Sequence, residues 1–216
     1  MPFTLADNNS IANRFIAELR STAVQNDRMR FRKNIERIGQ IFAYEISKTF
    51  HYREEDIETP LGIANVPLPN DRIVIASILR AGLPLHHGLL GYFDTADNAF
   101  ISAYRKHHKD GTFEINLEYV TCPDLQDSVL ILTDPMLATG ASFAAALDVL
   151  AKYGTPKVIH LVTVIASMNG INYIKRMHPK CKIWTGAIDE ELTAKSYIVP
   201  GLGDAGDLLY GEKLQE

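Results

Sequence analysis

Residues 129–142, VLILTDPMLATGAS, admit few folds. Val129, Leu130, Ile131 and Leu132 are apolar and partly β-branched, which reads as a short buried strand. Asp134 follows within two residues. Then come the small residues Ala138-Thr139-Gly140-Ala141-Ser142 and a helix-forming run, Phe143-Ala144-Ala145-Ala146-Leu147. A strand ending in an acid, followed by a small-residue loop that opens a helix, can hold a phosphate. N–H groups point out of the helix start, its dipole favours an anion, and small side chains let the ligand reach the backbone. The acid is ill placed against phosphate; it suits ribose hydroxyls or a metal-bound diol. Alone, the same wording also fits an ordinary strand–turn–helix corner of an α/β protein.

The rest of the chain alternates in the same manner, without repeats or a low-complexity linker. Residues 10–20 read as helix. Phe31, Ile35, Ile38, Phe42 and Ile46 form one stripe of a helix over 28–50. Residues 51–71, with Pro60, Pro67 and Pro69, read as a broken region. Strands are expected at 73–79, 99–104, 113–120, 128–133, 157–165 and 182–188, and helices at 83–92, 142–153 and 170–177. Such alternation defines an α/β fold, a mostly parallel sheet flanked by helices, with N-terminal helices ahead of it. Residues 104–121 read as a two-stranded β-arm with a charged loop at 105–112, turning at Lys109-Asp110-Gly111. Ligands of such sheets bind beyond the carboxyl ends of the strands, and Arg80, Arg105 and Asp134 all fall there.

With 216 residues and a 46% apolar share, the chain is long enough for one domain with a sizeable core. Its net charge of −4 argues against a nucleic-acid binder. The basic stripe Arg28, Arg30, Arg32 and Lys33 reads as a solvated helix face or a subunit contact. No apolar run is long enough for a membrane span, and MPFTLADNNS lacks the basic and apolar regions of a signal peptide. Cys122 and Cys181 form no paired motif, so a reduced, cytoplasmic location without a structural disulfide is expected. The pairs His86-His87 and His107-His108 lack the spacing of metal ligands. Trp184 reads as core or interface, and Asp189-Glu190-Glu191 as a solvated turn.

A second unusual segment is Tyr197-Ile198-Val199-Pro200-Gly201-Leu202-Gly203-Asp204-Ala205-Gly206-Asp207. Within it, the glycines and proline of 200–207 read as forbidding regular helix and central strand and suit a backbone folded around something flat. DPMLATGAS resembles the phosphoribosyl-pyrophosphate (PRPP) loop of the uracil phosphoribosyltransferases, and GLGDAGD resembles their uracil-binding loop. Ser77-Ile78-Leu79-Arg80-Ala81-Gly82 is similar to their pyrophosphate loop, and Ala103-Tyr104-Arg105 to the strand that carries a second arginine. The likeness runs from about residue 25 to the end. Three departures are visible. Related enzymes carry paired acids where Thr133-Asp134 stands, although the single acid before Pro135 is the uracil form. A second glycine is common where Ala141 stands. Ser167-Met168-Asn169-Gly170 replaces the usual Ala-Pro-Glu-Gly.

The resemblance implies one phosphoribosyltransferase domain: a helical extension over 1–70, a PRPP-binding core over 71–190 and a uracil-binding segment over 191–216. It implies pyrimidine salvage, in which N1 of uracil displaces pyrophosphate from C1 of PRPP to give UMP. Arg80, Arg105 and Mg²⁺ would neutralise the leaving pyrophosphate. Asp134 would grip the ribose diol. Pro135, Met136, Leu137, Ala138, Thr139, Gly140, Ala141 and Ser142 would surround the 5-phosphate. Backbone groups of Ile198, Gly203 and Ala205 would read uracil, with Tyr197 against C5. Asp204 would lie near PRPP, uracil and Mg²⁺-bound water, with a general-base role as a further expectation. A β-arm closing over PRPP, a homo-oligomer (dimer or tetramer) and activation by GTP complete the implied picture. Two rivals remain: a phosphoribosyltransferase for another base, and a PRPP-sensing regulator that binds nucleic acid. Ala138 and GLGDAGD count against the first, the acidic net charge against the second.

Overall fold

Strand-forming runs alternate with helix-forming ones along this chain, and a single large sheet collects them. The computed structural model describes residues 1–107 and 113–212, the side chains of 103–118 excepted. The chain opens with β1 (Phe3–Thr4), α1 (Ile11–Arg20) and α2 (Arg28–Ser47). A hairpin follows, β2 (Tyr52–Thr59) and β3 (Gly62–Pro69). The core comprises β4 (Ile73–Leu79), α3 (Leu83–Leu90), β5 (Asp97–His107), β6 (Phe113–Thr121), β7 (Val129–Thr133), β8 (Met136–Leu137), α4 (Ala141–Leu150), β9 (Val158–Ser167), α5 (Met168–Met177) and β10 (Lys182–Asp189). Two short strands, β11 (Glu191–Leu192) and β12 (Ile198–Val199), lead to α6 (Ala205–Tyr210).

The sheet order is β1-β10-β9-β7-β4-β5-β6, with β8 added beside β9. All of its pairs are parallel except β5–β6. The β-branched runs of β4, β7 and β9 are buried on both faces, as a parallel sheet requires. Side chains alternate between two cores. Ile75, Val129, Ile131, Val162 and Val164 face α2 and α3. Val74, Ala76, Leu130, Leu132 and Leu161 face α4 and α5.

Helix α2 starts where the Asp27 carboxylate accepts the Arg30 N–H at 3.0 Å. Its stripe, Phe31, Ile35, Ile38, Phe42 and Ile46, is fully buried. It crosses α3 at Gly39 and Gly88, where a Cβ would meet the opposing backbone oxygen at 2.5 and 2.1 Å. The glycines are there because the two backbones touch.

Two expectations need correction. Residues 52–69 form a regular antiparallel hairpin instead of a broken region. Pro67 and Pro69 are tolerated because a two-stranded ribbon leaves one edge of β3 without ladder bonds to make. The first 70 residues are therefore not purely helical, and β1 joins the sheet edge beside β10. Asp189 is also not part of a solvated turn: it is 7% exposed and salt-bridged to Arg20. Trp184 is core, its indole N–H donating to Nδ1 of His160 at 2.8 Å. The basic stripe is largely absorbed within the chain, Arg30 by Glu18, Arg32 by the Leu209 carbonyl and Lys33 by Glu36.

Two buried histidines make stability depend on pH. Burial, with the neighbouring His87, pushes the His86 imidazole down to about 4; burial, with Lys182, pushes His160 down to about 3. An unfolded histidine titrates near 6.5. On acidification below that value the unfolded chain takes up protons that the folded one refuses. Stability is thus fully present above about pH 6.5 and falls by about 1.4 kcal/mol per pH unit for each histidine until its folded pKa is reached. Urea titrations at about pH 7 and about pH 5 should show this loss as a lower midpoint at constant slope. Equal midpoints would contradict it.

Candidate active site

Chain direction across the sheet reverses between β4 and β7. From β4 the chain steps to β5 on one side; from β7 it steps through α4 to β9 and through α5 to β10 on the other. A crevice at the carboxyl ends of β4 and β7 is where such sheets bind ligands. Arg80 leaves the end of β4 and Asp134 leaves the end of β7. The turn after β4 is pressed onto the strand ends: a Cβ at Gly82 would meet Ser77 Oγ and the Thr133 carbonyl, each at 2.6 Å. Thr133 is fully buried and donates its hydroxyl to Ala76 O at 3.1 Å. It holds strand ends together, so of the pair Thr133-Asp134 only the second is charged. The Asp134 carboxylate accepts Met136 N–H at 3.4 Å, while its own N–H donates to Val162 O at 3.2 Å. Arg80 is exposed, with Nη2 3.4 Å from Gly211 O and its guanidinium carbon 5.7 Å from the Tyr210 ring centre. Arg80 thus lies at the seam with the C-terminal segment.

The loop from Pro135 to Ser142 is built against β9 and α5. Pro135 O accepts the N–H groups of Val164 and Ile165, and β8 pairs with Ile165 and Ala166. Ser167 Oγ donates to Ala138 O at 2.5 Å and accepts Gly170 N–H at 2.9 Å, capping α5 and tethering the loop at once. A Cβ at Gly170 would stand 2.5 Å from Ala138 O and 2.7 Å from Leu137 O. The segment 167–170 is therefore the floor of the loop. Gly140 caps α4 in the left-handed region, φ 84°, and makes no side-chain cap bond. Thr139 Oγ1 accepts Ala141 N–H at 3.3 Å. No acid occupies the first turn of α4. Beyond the Ala141 N–H, the first-turn N–H groups and the dipole of α4 have the character of an anion site.

The Gly-rich segment follows β12, which pairs with β11. The side chain of Ile198 is buried, so only its backbone can serve a ligand. Tyr197 is 44% exposed, beside the turn that Thr193 closes. Gly201 and Gly203 have φ of 56° and 89°, open to glycine at little cost. Asp204 Oδ1 accepts Asp207 N–H at 3.1 Å and so caps α6, with Ala205 as the first helical residue. Sequence reasoning placed Asp204 near the ligand; its capping bond is an added structural duty. Arg105 sits in β5 opposite Ile115, but its side chain and the arm residues 108–112 lie outside the described residues.

The structure adds residues that the motifs did not mark: Arg20, Gln25, Ser167, Gly170, Asp189 and Tyr210. Only Ser167-Met168-Asn169-Gly170 gave a signal, by its place after a strand. Burial raises the thiols of Cys122 and Cys181 to about 11, so neither is a ready nucleophile. Among the described residues no group of three His, Cys, Asp or Glu could hold a metal ion, and no helix is long and apolar enough to cross a membrane.

A reversed parallel sheet, a helix start after a strand-end acid and a Gly-rich segment tied to the end of β10 define a phosphoribosyltransferase of the type I fold. The fold agrees with adenine phosphoribosyl transferase from Trypanosoma brucei, solved with AMP, pyrophosphate and ribose-5-phosphate (TM-score 0.55, 11% identity, 86% of this chain and 82% of that one). A sequence profile described as uracil phosphoribosyltransferase matches residues 6–212. A uracil phosphoribosyltransferase from Porphyromonas gingivalis is 52% identical over 97% of this chain and 98% of its own length; one from Thermococcus gammatolerans is 38% identical over 93% and 89%. The AQ2163 protein from Aquifex aeolicus has a TM-score of 0.88 at 29% identity, covering 100% of both chains. The chain belongs to the uracil phosphoribosyltransferase family. It is a pentosyl-transferring enzyme of pyrimidine salvage, forming UMP from uracil.

Proposed function

We propose that the crevice between β4 and β7 performs the transfer with a defined division of labour. The carrying observation is the α4 start, where Gly140 makes no side-chain cap bond and Thr139 Oγ1 takes only the Ala141 N–H, together with the Gly-rich segment 200–207, tied through Gly201 to Asp189 at the carboxyl end of β10 in the same parallel sheet. The amides from Leu137 to Ser142, with the Thr139 and Ser142 hydroxyls, hold the 5-phosphate. Asp134 takes the ribose hydroxyls. Arg80 and Arg105 fork onto the diphosphate oxygens. As pyrophosphate leaves C1 with the bonding pair, the ribose carbon becomes cationic and uracil N1 supplies the new bond. The N1 proton passes to solvent or to Asp204. Water is kept away while both substrates are held in line.

Mg²⁺ suits this donor set. Carboxylates at Asp134 and Asp204, with no all-protein cage among the described residues, fit an ion that arrives on phosphate oxygens and keeps its waters. Bound there it would add positive charge to the leaving diphosphate.

For base choice, Ile198, Gly203 and Ala205 offer backbone donors and acceptors to the carbonyl and N–H edge of uracil, and Tyr197 flanks C5. Cytosine leaves one of those groups unpaired and is rejected. The deciding assay is pyrophosphate release from PRPP with uracil, cytosine, hypoxanthine or no base. Release with uracil alone supports the reading; release with a purine, or none, refutes it. Adding GTP to the same assay tests activation.

A homo-oligomer is part of the proposal. The hairpin strands β2 and β3 pair with each other alone among the described residues, and Leu61, Ile63, Tyr52 and Ile57 are exposed on them. A lone two-stranded ribbon is marginal in water, and these side chains support cover by a second copy. Light scattering should give a dimer or larger, with Leu61→Glu plus Ile63→Glu shifting it toward monomer. A wild-type monomer would refute this. The two unpaired cysteines fit a cytoplasmic enzyme.

A further inference from the structure

Helices α1 and α2 touch no substrate in this scheme, yet their polar side chains converge on the C-terminal loop. Arg20, the last residue of α1, donates from Nη1 to Asp189 Oδ2 at 2.7 Å and from Nη2 to Oδ1 at 2.8 Å. The same Nη1 donates to Gly201 O at 2.9 Å. Gly201 N–H donates to Asp189 Oδ2 at 2.8 Å. Both polar backbone groups of Gly201 are thus held by charge, its N–H by a carboxylate and its C=O by a guanidinium. One residue on, Gln25 Nε2 bridges Leu19 O and Leu202 O at 3.0 and 3.3 Å. Downstream, Arg32 Nη1 holds Leu209 O at 2.8 Å. The segment Gly203-Asp204-Ala205 is therefore fixed on both sides from the N-terminal helices.

Asp189 ends β10, and the chain leaves it, makes the β11–β12 hairpin and returns to it at Gly201. A carboxylate this buried is costly unless paired and hydrogen-bonded. Burial works to raise its pKa; the Arg20 guanidinium and the Gly201 N–H prevail and hold it below the usual carboxylate range. An exposed ion pair would contribute little, but this one is bidentate, shielded and shared with the loop backbone. Its third partner has to be glycine: φ is 56°, in the left-handed region, and a Cβ would lie 2.1 Å from Ile198 O. A small shift of Gly201 changes the direction in which the next residues leave the turn.

We propose that the Arg20–Asp189 pair is the positioning device of the base loop, setting where Gly203 and Ala205 meet uracil while leaving the PRPP side untouched. This rests on the reading of 200–207 as the base loop. The pair acts through Gly201 and touches no substrate.

The wild-type protein is first assayed for uracil-dependent pyrophosphate release; failure there overturns the functional reading itself. Arg20→Ala is then compared by uracil KM, by calorimetric titration of PRPP with Mg²⁺ in the absence of uracil, and by melting temperature. Uracil KM should rise about tenfold or more with PRPP affinity within about twofold, because only base-side hydrogen bonds are displaced. Arg20→Lys should recover part of the loss, since it keeps the charge without the fork. No change in uracil KM, or equal losses toward both substrates, would overturn the proposal. Should Arg20→Ala fail to fold, Asp189→Asn is judged by the same split. If that variant also fails to fold, the pair is a strut of the whole fold and the proposal falls.

Discussion

Gly170→Ala should lower kcat/KM for PRPP by up to about a hundredfold, since a misplacement of ~1 Å in a substrate-positioning loop can cost that much in rate. The added methyl would stand 2.5 Å from Ala138 O and 2.7 Å from Leu137 O. Both are backbone atoms and cannot rotate away. Gly170 itself is held in α5 by Ser167 and lies in a fully packed layer with Ile171 and Ile174. The loop must therefore move off the helix, and its amides leave the positions that grip phosphate. Uracil contacts, carried by another segment, should change little. Steady-state kinetics with varied PRPP, on a variant with a cooperative melt, checks this. A kcat/KM within about twofold of wild type would mean that the 167–170 floor does not set the loop.

Arg80→Ala should cost at least about tenfold in PRPP KM or in kcat, because charge-assisted contacts to phosphate are worth ~1.5–3 kcal/mol. Lysine should restore only part, lacking the planar fork. The arginine is exposed and lies against Tyr210 and Gly211, so its removal leaves no buried hole and folding should be unaffected. Steady-state kinetics with varied PRPP provide the measurement. Unchanged PRPP parameters in the folded variant would remove Arg80 from the site.

The strands of the core were legible because their β-branched runs are buried on both faces, and periodicity alone reports that. The strand–loop–helix corner at 129–150 was legible because an apolar run, a stretch of small residues and a helix-forming run follow one another there. The hairpin 52–69 was hidden by its own composition: Pro60, Pro67 and Pro69 resemble breaks until a two-stranded ribbon supplies a free edge. Asp189 was misread because a run of three acids usually marks a wet turn, and its partner Arg20 is 169 residues away. Local chemistry cannot reveal a partner at that range. Thr133 looked like a missing acid; its buried hydroxyl shows a residue selected to join two strand ends. Ser167 gave one signal, its place after a strand; that its hydroxyl serves both the helix it starts and the loop above it needs the tertiary contact to be seen.

The brace on the base loop also orders the events of folding. The bonds from Arg20, Gln25 and Arg32 to the loop span 169 to 181 residues. Contacts between such distant points form late, after shorter-range pairing has already restricted the chain. During synthesis the side chains of Arg20, Gln25 and Arg32 must wait for Asp189, Gly201, Leu202 and Leu209 before these bonds can form. The ends of β4 and β7 and the α4 start, with the support they take from β9 and α5, need no residue beyond Met177. The parts of the proposed site are thus born at different times, the strand ends with the α4 start before the segment 201–209.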